Sequence, residues 1–471
     1  MHTNQMFPDT FLLQSDLACQ LFEHVQSLPI IDYHSHLPVD VLAQNKPFTN
    51  LTELWIRGDH YKWRAMRLNG IPEALCSGAA NDLDKFNAWA ATAPMTLRNP
   101  LYHWSRLELS RYFGIKRELT PVTAEGIWDE CDAMLQTPDC TPQAFLTRSN
   151  VQVLCTTDDP ADSLAYHQML REIPGFSAAV YPTFRPDAAC VLNGTAAFLI
   201  WLDRLRAIVD HPINNLFGLL DALQRRHKDF HDVGCRISDH GLEMVDAVDC
   251  TQIQAEQLFN RLLAQESLDS QNLAKWRSYL MQRFAEWNRD RGWVMMLHLG
   301  ALRNNNSNAF ERIGLDTGCD SIGDFAQAQG LNRFLNALDK SDRLPKVILF
   351  NSNPRDNMVF ATIAGNFFED GVPGKVQYGP AWWFLDTESG IVDQFNALSS
   401  VGLAQHFIGM VTDSRSFLSF SRHEYFRRLL CNLYAADAHR GLLPMDAGRL
   451  ANALQGICYT NASTYFQWEQ P

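Results

Sequence analysis

The 471-residue sequence predicts an α/β fold, eight parallel βα units closed into a barrel and enlarged by a helical insertion after the first strand. Three observations lead there. Short apolar or β-branched runs alternate with helix-like stretches, they number eight, and nearly all end in residues able to bind metal, move protons or hydrogen-bond a polyol.

The first run, 28–33, closes on His34-Ser35-His36. About 115 residues separate it from the second, a gap far longer than an ordinary crossover, which must hold structure of its own. Within it, 82–91 and 101–113 have helical spacing, punctuated by Pro94 and Pro100. The expected division is therefore a barrel of 1–39 with 146–471, and a helical insertion or lid region over 40–145.

The second run, 151–155, ends in Thr156-Thr157-Asp158-Asp159, the third, 178–184, in Arg185-Pro186-Asp187, and the fourth, 234–238, in Asp239-His240. Two amphipathic helices, 251–263 and 273–287, precede the fifth run, 293–297, which ends at His298. The sixth, 347–350, opens Asn351 to Asn357; the seventh, 375–378, precedes Trp382-Trp383; the eighth, 407–411, leads into Asp413-Ser414-Arg415. Active sites of such barrels lie at these C-terminal strand ends.

Composition narrows the function classes. The 40 Lys+Arg against 53 Asp+Glu leave a charge of −13, with no Lys/Arg-rich run, which excludes nucleic acid as a partner. The first residues lack the cationic head and apolar core of a secretory signal, and no stretch reaches ~18 apolar residues, so a soluble, cytoplasmic protein without a membrane partner is expected. The 11 scattered cysteines, with no Cys-x-x-Cys pair, suit buried reduced thiols. The long insertion and its exposed aromatics point to a homo-oligomer.

Residues two apart on a strand point to the same side, so His34 and His36 can offer two imidazoles to one cation. First and last strands are neighbours in a closed barrel, which brings Asp413 to the same place. His298 reads as a further ligand, a proton-transfer group or a hydrogen-bonding residue behind the ligands. A lysine that would support a bridged metal pair is missing from the fourth strand end, where Asp239 and His240 stand, so one metal is expected.

Residues 57–67 (RGDHYKWRAMR) mix four cations with His60, Tyr61 and Trp63. They read either as a solvated helix face or as a lid delivering His60 or Tyr61 to the reaction centre. Arg185 and Arg415, supported by Arg303, Arg355 and Arg422, present planar forks suited to a carboxylate, unless Asp187 and Asp413 neutralise them. Trp382-Trp383 can stack on a sugar ring or cap the core. Taken alone, these residues favour a metal-dependent hydrolase of amides or lactones, because the same triad activates water. A sugar-acid binding protein fits the arginines and tryptophans but leaves the triad unexplained.

Longer blocks go further. IDYHSHLP (31–38), RGDHYKWRAMRLNGI (57–71), NPLYHW (99–104), TTDDP (156–160), FRPD (184–187), HLGALRNNN (298–306), NPRDN (353–357) and GMVTDSRSFLSFSRHEYFRR (409–428) resemble the uronate, or glucuronate, isomerase family in order along essentially the whole chain. The resemblance implies a distorted (β/α)8 barrel of the metal-dependent hydrolase kind, within the amidohydrolase superfamily. It also implies interconversion of D-glucuronate with D-fructuronate and of D-galacturonate with D-tagaturonate, in uronate catabolism.

Carried over residue by residue, it places one divalent metal, zinc with manganese as an alternative, on His34, His36 and Asp413. Tyr61, Arg185 and Arg415 fall near the sugar acid, with His60 beside the tyrosine, and His298, Arg303, Trp382, Arg422 and His423 form a second tier. Moving the carbonyl from C1 to C2 requires removal of the C2 proton and stabilisation of an enediol. Asp413, a Tyr61 made more acidic by Arg415, or a hydroxide on the metal are candidate bases.

Overall fold

The computed structural model describes residues 8–468. Seven strands form one parallel sheet in chain order: β1 (Ile30–Asp32), β2 (Val151–Asp158), β3 (Ala179–Phe184), β4 (Ile237–Leu242), β5 (Val294–Leu299), β6 (Lys346–Asn351) and β7 (Val376–Tyr378). Both faces are covered. Ile31, Val153, Ile237, Val294, Met296, Ile348 and Phe350 pack inside the curled sheet, whereas Leu154, Val180, Met295, Leu297, Val347 and Leu349 join the core shared with the helices. This is the two-residue period of a strand buried on both sides, and it explains the nearly unbroken apolar runs.

Several strands reach further than expected. β2 runs through Asp158, β5 through His298 and β6 through Asn351. β4 starts at Ile237 because Gly234 turns at φ +95°, and it carries Asp239 and His240 within the strand. Alternation then separates the pair: Asp239 faces His298 inside the barrel, while the His240 ring stacks on Phe284 among the helices, centroids 5.7 Å apart.

The eighth run is a correction, since 407–411 forms no strand ladder. Gly409 has φ +75°, packed so closely on the carbonyl of Ile457 that no side chain fits, and its own carbonyl takes the Tyr33 hydroxyl at 3.3 Å. The segment instead reaches β1 through the Asp32 carboxylate, which accepts from the Thr412 amide (2.9 Å) and hydroxyl. The Asp413 amide donates to the His34 carbonyl at 3.1 Å and the His36 amide to that of Ser414 at 3.0 Å.

The gap after β1 holds the helices Val39–Gln44, Leu51–Trp55, His60–Leu68, Asp82–Thr92, Pro100–Phe113, Ala124–Leu135 and Pro142–Arg148. Asn81 and Asn99 cap their helices by accepting amide protons of Asp84 and Leu101, Pro100 opens the second of these two, and Gly114 at φ +67° ends it. None of the described aromatic side chains over 40–145 is exposed; Trp55, Phe86, Trp89, Trp104 and Phe145 are buried in the common core. The ground offered for an oligomer therefore falls away. Of the two expected long helices, the first spans Gln252–Leu263 behind a Thr251–Gln254 capping box and the second Ser270–Arg291. No helix among the described residues is long and apolar enough to cross a membrane.

Candidate active site

A cavity of about 790 Å³ opens at the C-terminal ends of the strands. Of the residues that the family resemblance places at the site, all but His423 line it, whereas Arg355, expected as a supporting arginine, lies outside it and pairs with Asp324 and Asp356. His423 lies in the helix Ser421–His439, 5% exposed, with Nε2 buried and unpartnered, and burial holds its imidazole neutral, with a pKa well below the ordinary value.

His34 and His36 follow β1 and meet Asp413 from the far segment: Nε2 of each ring lies 3.0 Å from Asp413 Oδ1. Asp413 reaches this point with φ +46°, a left-handed conformation rare for a side-chain-bearing residue. Its other oxygen accepts the Trp382 indole proton at 2.8 Å. Burial opposes the charged form, yet the two histidines hold the Asp413 carboxyl well below its usual range. Burial also lowers the His36 pKa, favouring the neutral imidazole that a metal requires. Two imidazoles and one carboxylate oxygen, converging on a shared point, fit a divalent cation with borderline N/O preference.

A second cluster lies directly behind. Asp239 is fully buried; its Oδ1 is 2.7 Å from His298 Nδ1, and its Oδ2 is 3.2 Å from Arg185 Nη1 and 3.7 Å from His34 Nδ1. Although burial opposes ionisation, Arg185, His298 and His34 hold the Asp239 carboxyl well below its ordinary range. Burial outweighs the carboxylate at His298 and lowers that ring to about 4; its Nε2 is buried without a partner. For His34 the balance reverses, because burial favours the neutral ring but Asp239 and Asp413 raise its pKa overall. The sequence places Asp239 at the fourth strand end, where a bridging lysine is missing, and gives it no role of its own. The signal that could have found it is its place on the inward face of β4, beside His298 on β5.

Arg185 does pair with Asp187, Nε to Oδ2 at 2.9 Å, and still lines the cavity; Gly241 donates its amide to the same Asp187 oxygen at 3.0 Å. A Cβ at 241 would collide with the Arg185 guanidinium. Arg415 pairs not with Asp413 but with Asp316, at 3.3 Å, in the loop following β5.

The 57–67 segment is neither a plain solvated face nor a free lid. Asp59 caps the helix His60–Leu68 through the amides of Tyr61 and Lys62, and the buried Lys62 ammonium returns to it at 2.5 Å. Arg64 donates to the Asp320 carbonyl at 2.9 Å and Arg67 to that of Thr317, tying this helix to the loop that carries Asp316.

His60 lies parallel to Trp383 at 5.4 Å, and burial, with Arg415, lowers its pKa to about 4. The Arg303 guanidinium covers the same indole at 4.8 Å. Tyr61 corrects an expectation: burial and Asp386 push its phenol well above the ordinary value, and the cation over its ring, 5.6 Å from the centroid, is Arg422, not Arg415.

A sequence model of glucuronate isomerases matches residues 3–466. The chain belongs to this family. A uronate isomerase from Opitutus terrae is 47% identical over 462 residues, covering 98% of this chain and 97% of that protein. Another, from Cellvibrio japonicus, is 47% identical over 465 residues, covering 98% and 99%. The crystal structure of uronate isomerase from Thermotoga maritima has a TM-score of 0.92 at 32% identity, covering 98% of this chain and 99% of that one. Membership in the glucuronate isomerase family extends over barrel, insertion and cavity together, and the hydrolase and binding-protein readings are not favoured.

Proposed function

We propose that the protein interconverts D-glucuronate with D-fructuronate, and D-galacturonate with D-tagaturonate, by proton transfer through an enediol, using one divalent cation, most simply zinc, held by His34, His36 and Asp413. The observation that carries the reading is the meeting of those three side chains with two carboxylate-binding arginines in one cavity. The chemistry such a cation supplies when bound is Lewis-acid polarisation of neighbouring sugar oxygens.

The chain's own groups divide the remaining work. Arg185, braced by Asp187 and Asp239, holds a planar fork at the mouth for the C6 carboxylate or an enediolate oxygen. Arg415 offers a second fork, with Asp316 as its partner until the sugar acid competes for it. Trp382 meets the His298 ring at a tilt, centroids 4.8 Å apart, and donates to Asp413, so its indole walls that side of the site against water.

Both oxygens of Asp413 are engaged, Oδ1 by the two histidines and Oδ2 by Trp382, which leaves it poorly placed to take a carbon-bound proton. His298 suits that task better, since Asp239 takes its Nδ1 proton and Nε2 keeps a lone pair. Residues 40–145 supply Tyr61 and His60 as one wall of the mouth. A soluble cytoplasmic setting follows from the metabolic chemistry.

The test is ketose formation from both aldoses by metal-replete enzyme, with solvent exchange of a carbon-bound deuterium label. Ketose from at least one epimer with label loss is expected. No ketose from either would overturn the function, and complete label retention would favour hydride transfer or a base shielded from solvent.

A further inference from the structure

Behind Tyr61 stands a carboxylate that the mechanism above leaves unused. Asp386 follows Trp382-Trp383 in the loop after β7, with its side chain 18% exposed. Its Oδ2 accepts the Tyr61 hydroxyl proton at 2.9 Å and lies 3.7 Å from Arg422 Nη1. Its Oδ1 and Arg422 Nε are buried without partners, and the Arg422 guanidinium lies 3.9 Å over Trp104. A phenol has one proton and two lone-pair sites. Since that proton points at Asp386, Tyr61 turns lone pairs toward the cavity it lines.

We propose that Asp386 is a positioning residue for the isomerisation, fixing the hydrogen-bond polarity of Tyr61 and receiving the proton that Tyr61 relays from a substrate hydroxyl. The proposal rests on the reading of Tyr61 as a sugar-facing group. In the relay, the substrate O–H bond breaks and its proton joins the Tyr61 oxygen, while the phenol O–H bond breaks and its proton joins Asp386 Oδ2. The released electron pair becomes the new carbonyl bond at C2 as C1 takes, from the base that removed it, the proton lost by C2. The reverse relay delivers a proton to the oxygen that began as the aldehyde, so Tyr61 and Asp386 end the cycle as they began.

Electrostatics suit this role. Burial pushes Asp386 up to about 6 against the opposing pull of Arg422, so it is ionised at neutral pH yet still basic enough to hold a proton. Burial also keeps Tyr61 from existing as phenolate, so its proton must be exchanged rather than lost. The groups facing Asp386 are Arg422 and Tyr425 from the helix Ser421–His439, Tyr61 from the helix His60–Leu68, and Asp413.

The experiment follows kcat and KM of the metal-replete enzyme on D-glucuronate from about pH 5 to about pH 8. Wild type is expected to lose kcat as the pH falls through about 6. Asp386→Asn should lower kcat about a hundredfold at the upper end with little change in KM, and should lack that acid limb. Asp386→Glu should restore part of the rate together with the limb. Tyr61→Phe should lose a similar factor, and adding Asp386→Asn to it should cost nothing more.

A retained acid limb in Asp386→Asn, or losses that multiply in the double variant, overturns the proposal. Near-normal turnover by Tyr61→Phe overturns the sugar-facing reading beneath it. An impaired Tyr61→Phe beside an unimpaired Asp386→Asn removes the relay alone. Thermal melting of each variant separates misfolding from lost transfer, and a folded Asp386→Glu without the limb also counts against the relay.

Discussion

Two stretches of the barrel wall are built on different terms. Along β4, β5 and β6, six consecutive residues of each strand pair in register with the next, Ile237 through Leu242 against Val294 through Leu299, and these against Lys346 through Asn351. Where β1 meets 407–413, the ladder gives way to a few bonds, the main ones donated by the Thr412 amide and hydroxyl to the Asp32 carboxylate. The regular wall holds Asp239 and His298 on adjacent strands at a fixed spacing. The irregular seam lets Asp413 take its left-handed turn and face two histidines. Rigid pairing thus builds the support, and a break in pairing brings together the three side chains that could hold a metal.

The contrast can be broken most severely at its functional end. Asp413→Asn should lower kcat by about three orders of magnitude and reduce bound metal, measured by turnover and by metal analysis of the purified protein. Turnover within about tenfold of wild type would deny the seam its role. Exhaustive chelation should abolish activity and lower the melting temperature, with zinc restoring both; loss of neither would break the same link.

At the structural end of the seam, Asp32→Ala strands the buried Thr412 amide and hydroxyl, at a cost of about 2–4 kcal/mol in chemical denaturation. The rate should fall further than the stability loss alone explains. Ile237→Val, on the regular wall, should cost only about 1 kcal/mol and leave kcat unchanged. Equal effects of the two on rate would erase the distinction.

The smallest effect concerns pH on the regular side. Burial pushes Asp158, at the end of β2, up to about 7. The folded state therefore keeps a proton that the unfolded chain gives up from about pH 4, so this group's contribution to stability falls as the pH rises toward 7. Asp158→Asn should flatten that decline in urea unfolding at acidic and neutral pH. An unchanged slope would show that other groups set it.

Much of this plan is legible in the sequence, because apolar runs and the polar residues after them are local patterns. His34, His36, Arg185 and His298 all sit at or just past strand ends, where a period-two reading leads the eye. The seam was not legible: 407–411 is as apolar as a strand, and only Gly409 and the distant Asp32 turn it away from a ladder. Partnerships between distant loops were equally silent, so Asp316 on Arg415 and Asp386 on Tyr61 emerge only from the fold. Asp239 was visible as a residue but not as a hub, since its importance comes from three neighbours on three other chain segments.

Gly241 shows how far the catalytic demand extends into residues that do no chemistry. The Arg185 guanidinium occupies the space any side chain at 241 would need. Position 241 is therefore a sensor for the arginine: an alanine there would leave every charged group in the molecule intact, yet displace the Arg185 guanidinium by contact alone. In an engineered or drifting sequence, position 241 could gain a side chain only after Arg185 had moved or been replaced.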